Sequence, residues 1–402
     1  MADLLLVDEA IARIVAGVTS LAMEEVSLDA AEGHTLAAPL SAKRTQPPFD
    51  ASAMDGYAVR AADLITPPAR LRLIGTAAAG AGFAGIVGTN EAVRILTGAP
   101  VPAGADSVLI QENAEAADST TVIAKASVRR GQYVRPAGLD FKTGAALLSS
   151  GTRLGMREIA LAAAMGHANL AVRVRPRIAI ASTGDELVAP GIMPTGAQIV
   201  AASAPGLAAY VRMLGAEPHD LGLVTDDLAA IGHTADAALA LGADVLVTLG
   251  GASVGDHDLV SVGLAARGMA LDFWKIAMRP GKPLMFGRIG PMRVLGLPGN
   301  PVSSLVCAIL FLRPLIDELL GRPPADLSEP AVLASDVPPN DGRQDYVRST
   351  MTVADGLPRV TPLPVQDSSM LSVLAAASCL LIRPPNGPSA RMGEACRIIR
   401  LP

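Results

Sequence analysis

The second half of the chain alternates apolar runs with glycine-rich turns and helical patterns. Three such stretches are RIAIASTGDEL, ADVLVTLGGASVGDHD and MRVLGLPGNPVSSLVCAILFL, in which aliphatic and β-branched residues run directly into Gly, Asp or Pro. Strands that alternate with helices at this spacing predict a mostly parallel sheet covered by helices. Because ligands bind at the carboxyl ends of strands in such sheets, we expect a composite site built from these turns.

The rest of the chain follows other patterns. Near the N-terminus, Ile11, Ile14, Val15 and Val18 recur at helical spacing and predict an amphipathic helix. Residues 42–141 contain short runs divided by Gly and Pro, which is typical of antiparallel β-structure. A helix is expected between Gly155 and Gly166, and a linker after Gly321 leads to a small final β unit.

Composition narrows the class of protein. The 402 residues are half apolar but only 3% aromatic, so roughly two to four domains with aliphatic cores are expected. The net charge is −5 and no basic stripe is present, which argues against nucleic acid as a partner.

The cellular setting is also constrained. Cys307, Cys379 and Cys396 show no paired spacing, which fits a reducing cytoplasm better than a secreted disulfide framework. The acidic N-terminus is unlike a signal peptide, and no apolar run approaches the ~18 residues that a membrane span needs. We therefore expect a cytoplasmic protein without a membrane segment.

The turn GLPGNPVSS, residues 296–304, is a candidate anion site. Pro301 suits the first position of a helix and Asn300 suits its N-cap, so free amides and the helix dipole would face a bound oxyanion. Taken alone, the motif is more typical of a well-capped helix start than of an anion site.

The loop GGASVGDHD, residues 250–258, is a candidate metal site. Its glycines permit close approach of the backbone, Ser253 offers a hydroxyl, and Asp256 and Asp258 offer carboxylates. Oxygen ligands of this kind suit Mg²⁺ that is also held by substrate phosphates. The alternative is a solvated acidic loop.

Two further turns add charge to the predicted site. TGDEL supplies Asp185 and Glu186, which could instead cap a following helix, and MRPGKPLMFG supplies Arg279 and Lys282, which could instead be solvated on a surface turn. The chain has no Walker A loop, HExxH motif or Ser-His-Asp order. Together the four turns favour an anionic, nucleotide-like ligand with Mg²⁺ and cleavage of a phosphoanhydride by positioning and charge neutralisation.

These motifs occur in the order seen in one family. FDASAMDGYAVR, RILTGAPVPAGADSVLIQE, STGDEL, GGASVGDHD, RPGKPLMFG and GLPGNPVSS together resemble the molybdopterin molybdenumtransferases, the MoeA proteins and their gephyrin E-domain relatives. The resemblance covers essentially the whole chain. It implies insertion of molybdenum from molybdate into adenylylated molybdopterin, with Mg²⁺-dependent release of AMP.

The resemblance also implies a multidomain α/β plus β fold and a homodimer with a composite active site. The expected domains are a MogA-like α/β molybdopterin-binding domain (1–22 and 177–325), a linking domain (23–41 and 142–176), a β-rich domain (42–141) and a C-terminal β domain (326–402). Candidate partners are the molybdopterin adenylyltransferase and apo-molybdoenzymes.

Site residues follow from the resemblance. Asp55 in SAMDGYA is expected to reach the active site of the other subunit, while Glu186 and Asp258 are expected near Mg²⁺ and the nucleotide phosphate. Arg279 and Lys282 are expected to hold oxyanions, with molybdate bound by Lys282 and Pro283. The remaining implied residues are Thr97, Arg135 and Asp140 in the β-rich domain, Ser253, Pro298 and Pro301 in the α/β domain, and Arg343 and Ser368 in the C-terminal domain.

Some positions depart from the family pattern. The segment Val200 to Ala204 reads VAASA where an Asp-Ser/Thr-Asn run is usual, Ala51-Ser52 replaces Asn-Ser, Leu139 replaces an acid, and Ala377-Ser378 replaces an Asn position. These changes keep open a divergent paralogue with altered substrate, such as tungstate, or a non-catalytic molybdopterin-binding scaffold. An adenylyltransferase or nucleotide hydrolase is disfavoured, since such enzymes lack the SAMDGYA unit and the C-terminal domain.

Overall fold

The computed structural model describes residues 4–251, 259–354 and 356–402. Helix α1 (Val7–Val15) confirms the helical pattern at the N-terminus, and its buried Ala10 and Ile14 pack in the core of the α/β sheet described below. Two short strands follow, β1 (Met23–Ser27) and β2 (Leu40–Ser41).

The β-rich region is confirmed, with one difference in strand direction. Its strands are β3 (Ala51–Ser52), β4 (Gly56–Val59), β5 (Ala69–Ala77), β6 (Glu91–Ile95), β7 (Ser107–Ile110), β8 (Ala114–Ala116), β9 (Thr121–Ala124) and β10 (Val134–Arg135). Six of them form a sheet in the order β7-β4-β6-β5-β9-β8, while β3 pairs with β10. The prediction of antiparallel pairing is wrong for β5 and β6, which run parallel. The long connection 78–90 makes this possible, because parallel neighbours need a crossover rather than a tight turn.

A small unit joins this region to the next. It contains β11 (Ala146–Leu148), α2 (Met156–Ala164) and β12 (Asn169–Arg173), and antiparallel pairs β1–β12 and β2–β11 connect it to the earlier strands. Helix α2 lies between the two predicted glycines. The amide of Gly155 donates to the Glu158 carboxylate at 3.0 Å, and Gly166 ends the helical segment with φ +95°.

The α/β region carries the predicted sheet. Its elements are β13 (Arg177–Thr183), β14 (Leu187–Val188), β15 (Ile199–Val200), α3 (Ser203–Met213), β16 (Glu217–Val224), α4 (Leu228–Ala240), β17 (Val245–Leu249), α5 (Leu259–Ala265), β18 (Ala270–Trp274), β19 (Met278–Arg279), β20 (Met285–Ile289), β21 (Met292–Leu297), α6 (Pro301–Cys307) and α7 (Arg313–Leu319). The six-stranded order is β16-β13-β17-β21-β20-β18. The first four strands are parallel, and β20 and β18 extend the sheet in antiparallel fashion.

Both faces of this sheet are buried. Alternate residues of β13 point to opposite cores: Ile178 and Ile180 pack with α1, α3, α6 and α7, whereas Ala179 and Ala181 pack with α4 and α5. Burial on both faces explains why the central strands read as continuous apolar runs instead of alternating with polar residues.

The C-terminal region is a closed barrel. Its elements are β22 (Ser328–Leu333), β23 (Gln344–Ala354), β24 (Leu357–Pro362), α8 (Leu371–Ala376), β25 (Cys379–Arg383) and β26 (Ala395–Arg400). The order β23-β24-β22-β26-β25 closes by pairing of β25 with β23. Strand β19 of the α/β region adds to β23 in parallel, so the MRPGKP segment is attached to the barrel by backbone pairing. Among the described residues, no helix has the length and apolar character to cross a membrane.

Gly56 begins β4, directly after the SAMD loop, and we predict that the Gly56→Ala variant destabilises the β-rich region. A Cβ at Gly56 would lie 2.0 Å from the carbonyl oxygen of Leu109 on the paired strand. Overpacking of this kind typically costs about 1–3 kcal/mol. Calorimetry combined with hydrogen exchange of residues 42–141 measures the loss. Gly82→Ala, whose nearest neighbour would be Pro100 at 3.5 Å, is the matched control, and equal behaviour of the two variants would contradict the prediction.

Candidate active site

A cavity of about 950 Å³ lies at the carboxyl ends of β13, β17 and β21. Three strand-end turns line it, at residues 182–184, 249–251 and 298–301. This is the edge at which the sequence predicted a composite site. The other lining residues include Glu186, Asp226, Pro283 and Ser369, together with the segment 199–203.

The PGNP turn begins a helix as predicted, but its capping differs. Asn300 occupies the N-cap and Pro301 the first turn of α6, yet the Asn300 side chain makes no capping hydrogen bond. Its Nδ2 instead donates to Oγ of Ser368 at 3.0 Å, and the Val302 amide donates to the Ser368 carbonyl at 3.1 Å. Pro298 and Pro301 line the cavity. The C-terminal region therefore contacts the helix start, and the Val302 amide is already engaged by protein.

The TGDEL turn forms an acidic wall of the cavity. The prediction that Asp185 and Glu186 cap a helix is wrong, because short strand β14 follows them and α3 begins only at Ser203. Gly184 adopts φ +147°, and a Cβ there would lie 2.5 Å from Oε2 of Glu186. Glycine thus allows the Glu186 carboxylate to fold back over its own turn.

Asp226 was missed by the sequence argument and lies at the same wall. Its amide donates to Oδ1 of Asp185 at 3.0 Å. Burial raises the pKa of the Asp226 carboxyl, and the charges of Asp185 and Glu186 raise it further. Carboxylates that repel one another at a cavity wall are a recognised signal of a functional site, but the sequence alone does not place residue 226 beside residue 186.

The glycines of GGASVGDHD are required by packing within the protein. Gly250 and Gly251 have φ of +103° and +66°, and Cβ atoms there would lie 2.5 Å from the Thr183 carbonyl oxygen and 2.1 Å from Val260. Ser253 and Asp258 lie outside the described residues. In the part of the chain that is described, no cluster of three or more His, Cys, Asp or Glu side chains forms a metal site.

The predicted cations lie at the junction with the barrel. Pro283 lines the cavity, and the Lys282 side chain is exposed. Arg279 is not free: its Nη2 lies 2.6 Å from Oδ2 of Asp341. Arg343 binds the same Oδ2 at 2.9 Å, so the structure does bring Arg279 and Arg343 together, through a carboxylate.

The barrel supplies a second basic residue that the sequence argument did not single out. Arg348 has 2% exposure, and its Nη2 donates to the Asp367 carbonyl at 3.3 Å while its buried Nε has no partner. Burial lowers the pKa of this guanidinium. Arg348 therefore places a poorly neutralised charge beneath the segment 366–371, which carries Ser368 and lines the cavity with Ser369. No motif marks this residue, because only the closed barrel puts it there.

The SAMDGYA loop gathers the β-rich site residues. Oδ1 of Asp55 accepts hydrogen bonds from the Thr97 amide at 2.7 Å and the Thr97 hydroxyl at 2.8 Å. The Thr97 amide lowers the pKa of the Asp55 carboxyl, and the hydroxyl lowers it further. Arg135 faces Ala51 across the β3–β10 pair, and the Asp140 amide donates to the carbonyl of Gln46 at 3.1 Å. Asp55, Arg135 and Asp140 are all exposed.

Exposed apolar side chains, called the apolar rim below, lie within residues 49–54 and on segments hydrogen-bonded to residues 46–53. Large side chains that would normally be buried are exposed on the same turns: Phe49, Met54, Leu96, Tyr133 and Leu139. A concentration of exposed apolar side chains is typical of an interaction surface. None of the described residues that line the cavity comes from residues 42–141. The predicted site residues that the structure describes thus form three groups within one chain: one lines the cavity, one lies at the junction with the barrel, and one lies on the β-rich region.

Comparison with known proteins extends over the whole chain. Three family models match: the MoeA N-terminal region (domain I and II) over residues 5–166, a probable molybdopterin binding domain over 179–318, and the MoeA C-terminal region (domain IV) over 330–401. A molybdopterin biosynthesis MoeA protein from Pyrococcus horikoshii OT3 has the same fold, with a TM-score of 0.84, 27% identity and coverage of 99% of this chain and 100% of that one.

Curated relatives agree with the family models. The molybdopterin molybdenumtransferase of Nostoc sp. is 36% identical, with 94% of this chain and 89% of the relative covered. That of Bacillus subtilis is 31% identical, with 98% and 93% covered. This chain therefore belongs to the molybdopterin molybdenumtransferase family, whose members act in molybdenum cofactor biosynthesis.

Proposed function

We propose that the cavity binds adenylylated molybdopterin and that the chain inserts molybdenum from molybdate as AMP is released. The observation that supports this most directly is the cavity itself, which is lined by acidic Glu186 and Asp226, by the PGNP turn and by Pro283 at the end of the MRPGKP segment. Such a site can neutralise and position phosphate and oxyanion groups, which is the main requirement for phosphoanhydride cleavage.

The donor set at the acidic wall fits Mg²⁺. Glu186 and Asp226 line one cavity, and the pKa of Asp226 is raised by burial and then by the nearby charges of Asp185 and Glu186. Two carboxylates with substrate phosphates and water are a usual environment for this ion, which would neutralise charge on the phosphate oxygens. Asp258, outside the described residues, is the third proposed ligand. These side chains would also fix the orientation of the nucleotide end of the substrate.

The molybdate site is proposed at the junction of the α/β region and the barrel. Arg279, Lys282 and Arg343 supply positive charge, and Pro283 shapes the neighbouring cavity wall. Ser368 and its neighbours close the site from the barrel side, with buried Arg348 beneath them. Hydrogen bonds from guanidinium groups to a charged oxyanion are stronger than neutral ones, so these residues would bind and orient molybdate.

A second copy of the chain is proposed to complete the site. Asp55 is hydrogen-bonded to Thr97, Arg135 and Asp140 are exposed in the same β-rich region, and none of the four is in the described lining of the cavity in its own chain. A homodimer in which each SAMDGYA loop reaches the cavity of the other subunit would cover the rim and complete both sites. The rim residues would then pack in the interface, as apolar patches of this kind do.

The remaining proposals concern organisation and setting. We propose the four-domain division predicted from sequence, a cytoplasmic location consistent with free Cys307, Cys379 and Cys396, and a molybdopterin adenylyltransferase and apo-molybdoenzymes as partners that deliver substrate and accept product.

Lys282→Gln is predicted to lower AMP release from adenylylated molybdopterin by more than about a hundredfold, because the loss of an essential charge at a developing anion has an effect of this size. The assay contains purified protein, adenylylated molybdopterin, molybdate and Mg²⁺, with AMP measured by chromatography. Lys125→Gln, at an exposed ion pair with Glu115, is the control. Tight substrate binding by the wild type without AMP release would instead identify a scaffold.

Mixed dimers test the composite site. Asp55→Asn and Lys282→Gln are each expected to be inactive, but a randomly mixed population should recover about a quarter of the wild-type sites, since half of the dimers would then contain one intact site. AMP release after subunit exchange measures this. Absence of any recovery, with exchange verified by mass spectrometry, would show that Asp55 serves its own subunit.

Asp226→Asn is predicted to raise the unfolding temperature at pH 7. The folded-state pKa of Asp226 lies above its unfolded value of 3.8, so the folded protein loses stability as pH rises and this carboxyl ionises. The gain in unfolding temperature should disappear below about pH 4, where Asp226 is protonated in both the folded and the unfolded protein. Mg²⁺ should stabilise the wild type more than the variant.

Asp227, next to Asp226, provides a control in which the expected change in stability has the opposite sign. The Asp227 carboxylate caps α4, and hydrogen bonds from Thr225 and the helix amides lower the pKa of its carboxyl. Asp227→Asn should therefore be less stable than the wild type at pH 7 and approach it as pH falls. Differential scanning fluorimetry across pH measures both variants, and destabilisation by Asp226→Asn at pH 7 would contradict the assignment.

A further inference from the structure

One carboxylate occupies the position between two of the proposed oxyanion-binding cations. Oδ2 of Asp341 lies 2.6 Å from Nη2 of Arg279 and 2.9 Å from Nη2 of Arg343. Oδ1 of Asp341 also accepts from the Arg343 side chain at 3.3 Å and from the Arg343 amide at 3.1 Å. This three-residue arrangement is called the Asp341 bridge below.

The Asp341 bridge is built on fixed backbone. Arg279 belongs to β19, which pairs in parallel with the first residues of β23, and Arg279 is in register with Asp345. Asp341 and Arg343 lie in the turn that leads directly into β23. The pairing of β19 with β23 therefore brings the backbone of Arg279 close to the turn that carries Asp341 and Arg343, and the Asp341 carboxylate lies between the two guanidinium groups.

The local charges are balanced by acids of the chain itself. Nε of Arg279 lies 3.9 Å from Oδ1 of Asp345, whose side chain is 11% exposed. Burial raises the pKa of Asp345, so this acid holds its charge less firmly. The hydrogen bond from Arg343 lowers the pKa of Asp341 to about 2, with the charge of Arg279 contributing. Asp341 is thus the acid that stays ionised throughout the physiological range.

A carboxylate and a tetrahedral oxyanion use guanidinium donors in the same way. Both present two oxygens to parallel N–H groups, and both are favoured by the same positive charge. If Arg279 and Arg343 bind molybdate, they cannot give all of these hydrogen bonds to Asp341 at the same time. A bound oxyanion must displace the Asp341 carboxylate or share its donors at close range.

We propose that Asp341 sets the oxyanion affinity of this site, because its carboxylate competes with the oxyanion substrate for Arg279 and Arg343. This inference rests on the proposed role of the two arginines. The competition makes the site bind weakly any anion that cannot replace both hydrogen bonds, and it leaves the guanidinium groups paired when no substrate is present. Asp341 remains charged between pH 5 and pH 8, so its own part in the competition does not change over this range.

The expected effect is moderate. Arg279 and Asp341 have side chains about half exposed, and exposed ion pairs contribute little because water competes for them. Removing the charge of Asp341 should therefore lower the dissociation constant for molybdate by about three- to tenfold. The ratio between variant and wild type should shrink as ionic strength rises, since salt screens exposed charges.

Calorimetric titration of the full chain with sodium molybdate tests the proposal. Asp341→Asn should bind molybdate more tightly than the wild type, and sulfate should show the same trend because the competition is electrostatic. Asp326→Asn removes another exposed carboxylate from an arginine pair of the same barrel, with Arg397, and should leave molybdate affinity unchanged. Asp341→Ala, with the unfolding temperature of each variant, separates loss of charge from loss of folding.

Arg279→Gln distinguishes failure of this inference from failure of the proposed function. Weaker binding in Arg279→Gln together with tighter binding in Asp341→Asn supports both. Weaker binding in Arg279→Gln with unchanged or weaker binding in a folded Asp341→Asn would overturn the competition and leave the oxyanion site standing. Unchanged binding in Arg279→Gln would overturn both.

Discussion

The parallel pairing of β13, β17 and β21 is the constraint on which the site depends. Parallel strands end at one edge of the sheet, so the turns after each strand meet there however far apart they are in the chain. Burial of both faces leaves this edge as the place where polar groups can gather. Glu186, the two glycines of the 250–251 turn and the PGNP turn are brought together for this reason, and the cavity between them follows from the sheet.

A second set of contacts connects this edge of the α/β sheet to the C-terminal barrel. Strand β19 belongs to the α/β region by sequence but pairs with β23 of the barrel. Ser368 of the barrel contacts the start of α6. These contacts place the arginines of two regions side by side, and the Asp341 carboxylate occupies the resulting positive position. The acidic wall is thus formed by the strand ends of the α/β sheet, and the basic junction is formed by the contact of this region with the barrel. Separate acidic and basic surfaces are expected of a site that must hold both a metal ion and oxyanions.

Much of this could be predicted from the sequence. Continuous apolar strands and glycine turns indicated the α/β sheet, and Pro301 correctly marked the start of α6. The failures have local physical causes. Asn300 suited an N-cap by type, but a partner on the barrel takes its side chain; Asp185 and Glu186 suited a helix cap, but a strand follows them.

Other features depend on contacts between distant segments, and no local pattern reports them. Asp226 approaches Glu186 only because β16 lies beside β13, and Arg348 is buried only because the barrel closes. The parallel pairing of β5 with β6 is of the same kind, since it depends on the path of a connection and not on residue type. Asp55 and Thr97 were each implied as site residues by the family resemblance, but only the structure shows that they are hydrogen-bonded to each other.

The central claim is that the cavity at the strand ends holds the nucleotide phosphate and that the adjoining junction with the barrel holds the oxyanion. Crystals grown with AMP, Mg²⁺ and tungstate test it most directly, because tungsten can be located by its anomalous scattering. We predict the tungsten peak at the junction beside Lys282 and Arg279, with the AMP phosphate at the Glu186 wall of the adjoining cavity. A tungsten peak bound away from these residues, or AMP bound outside the cavity, would contradict the claim.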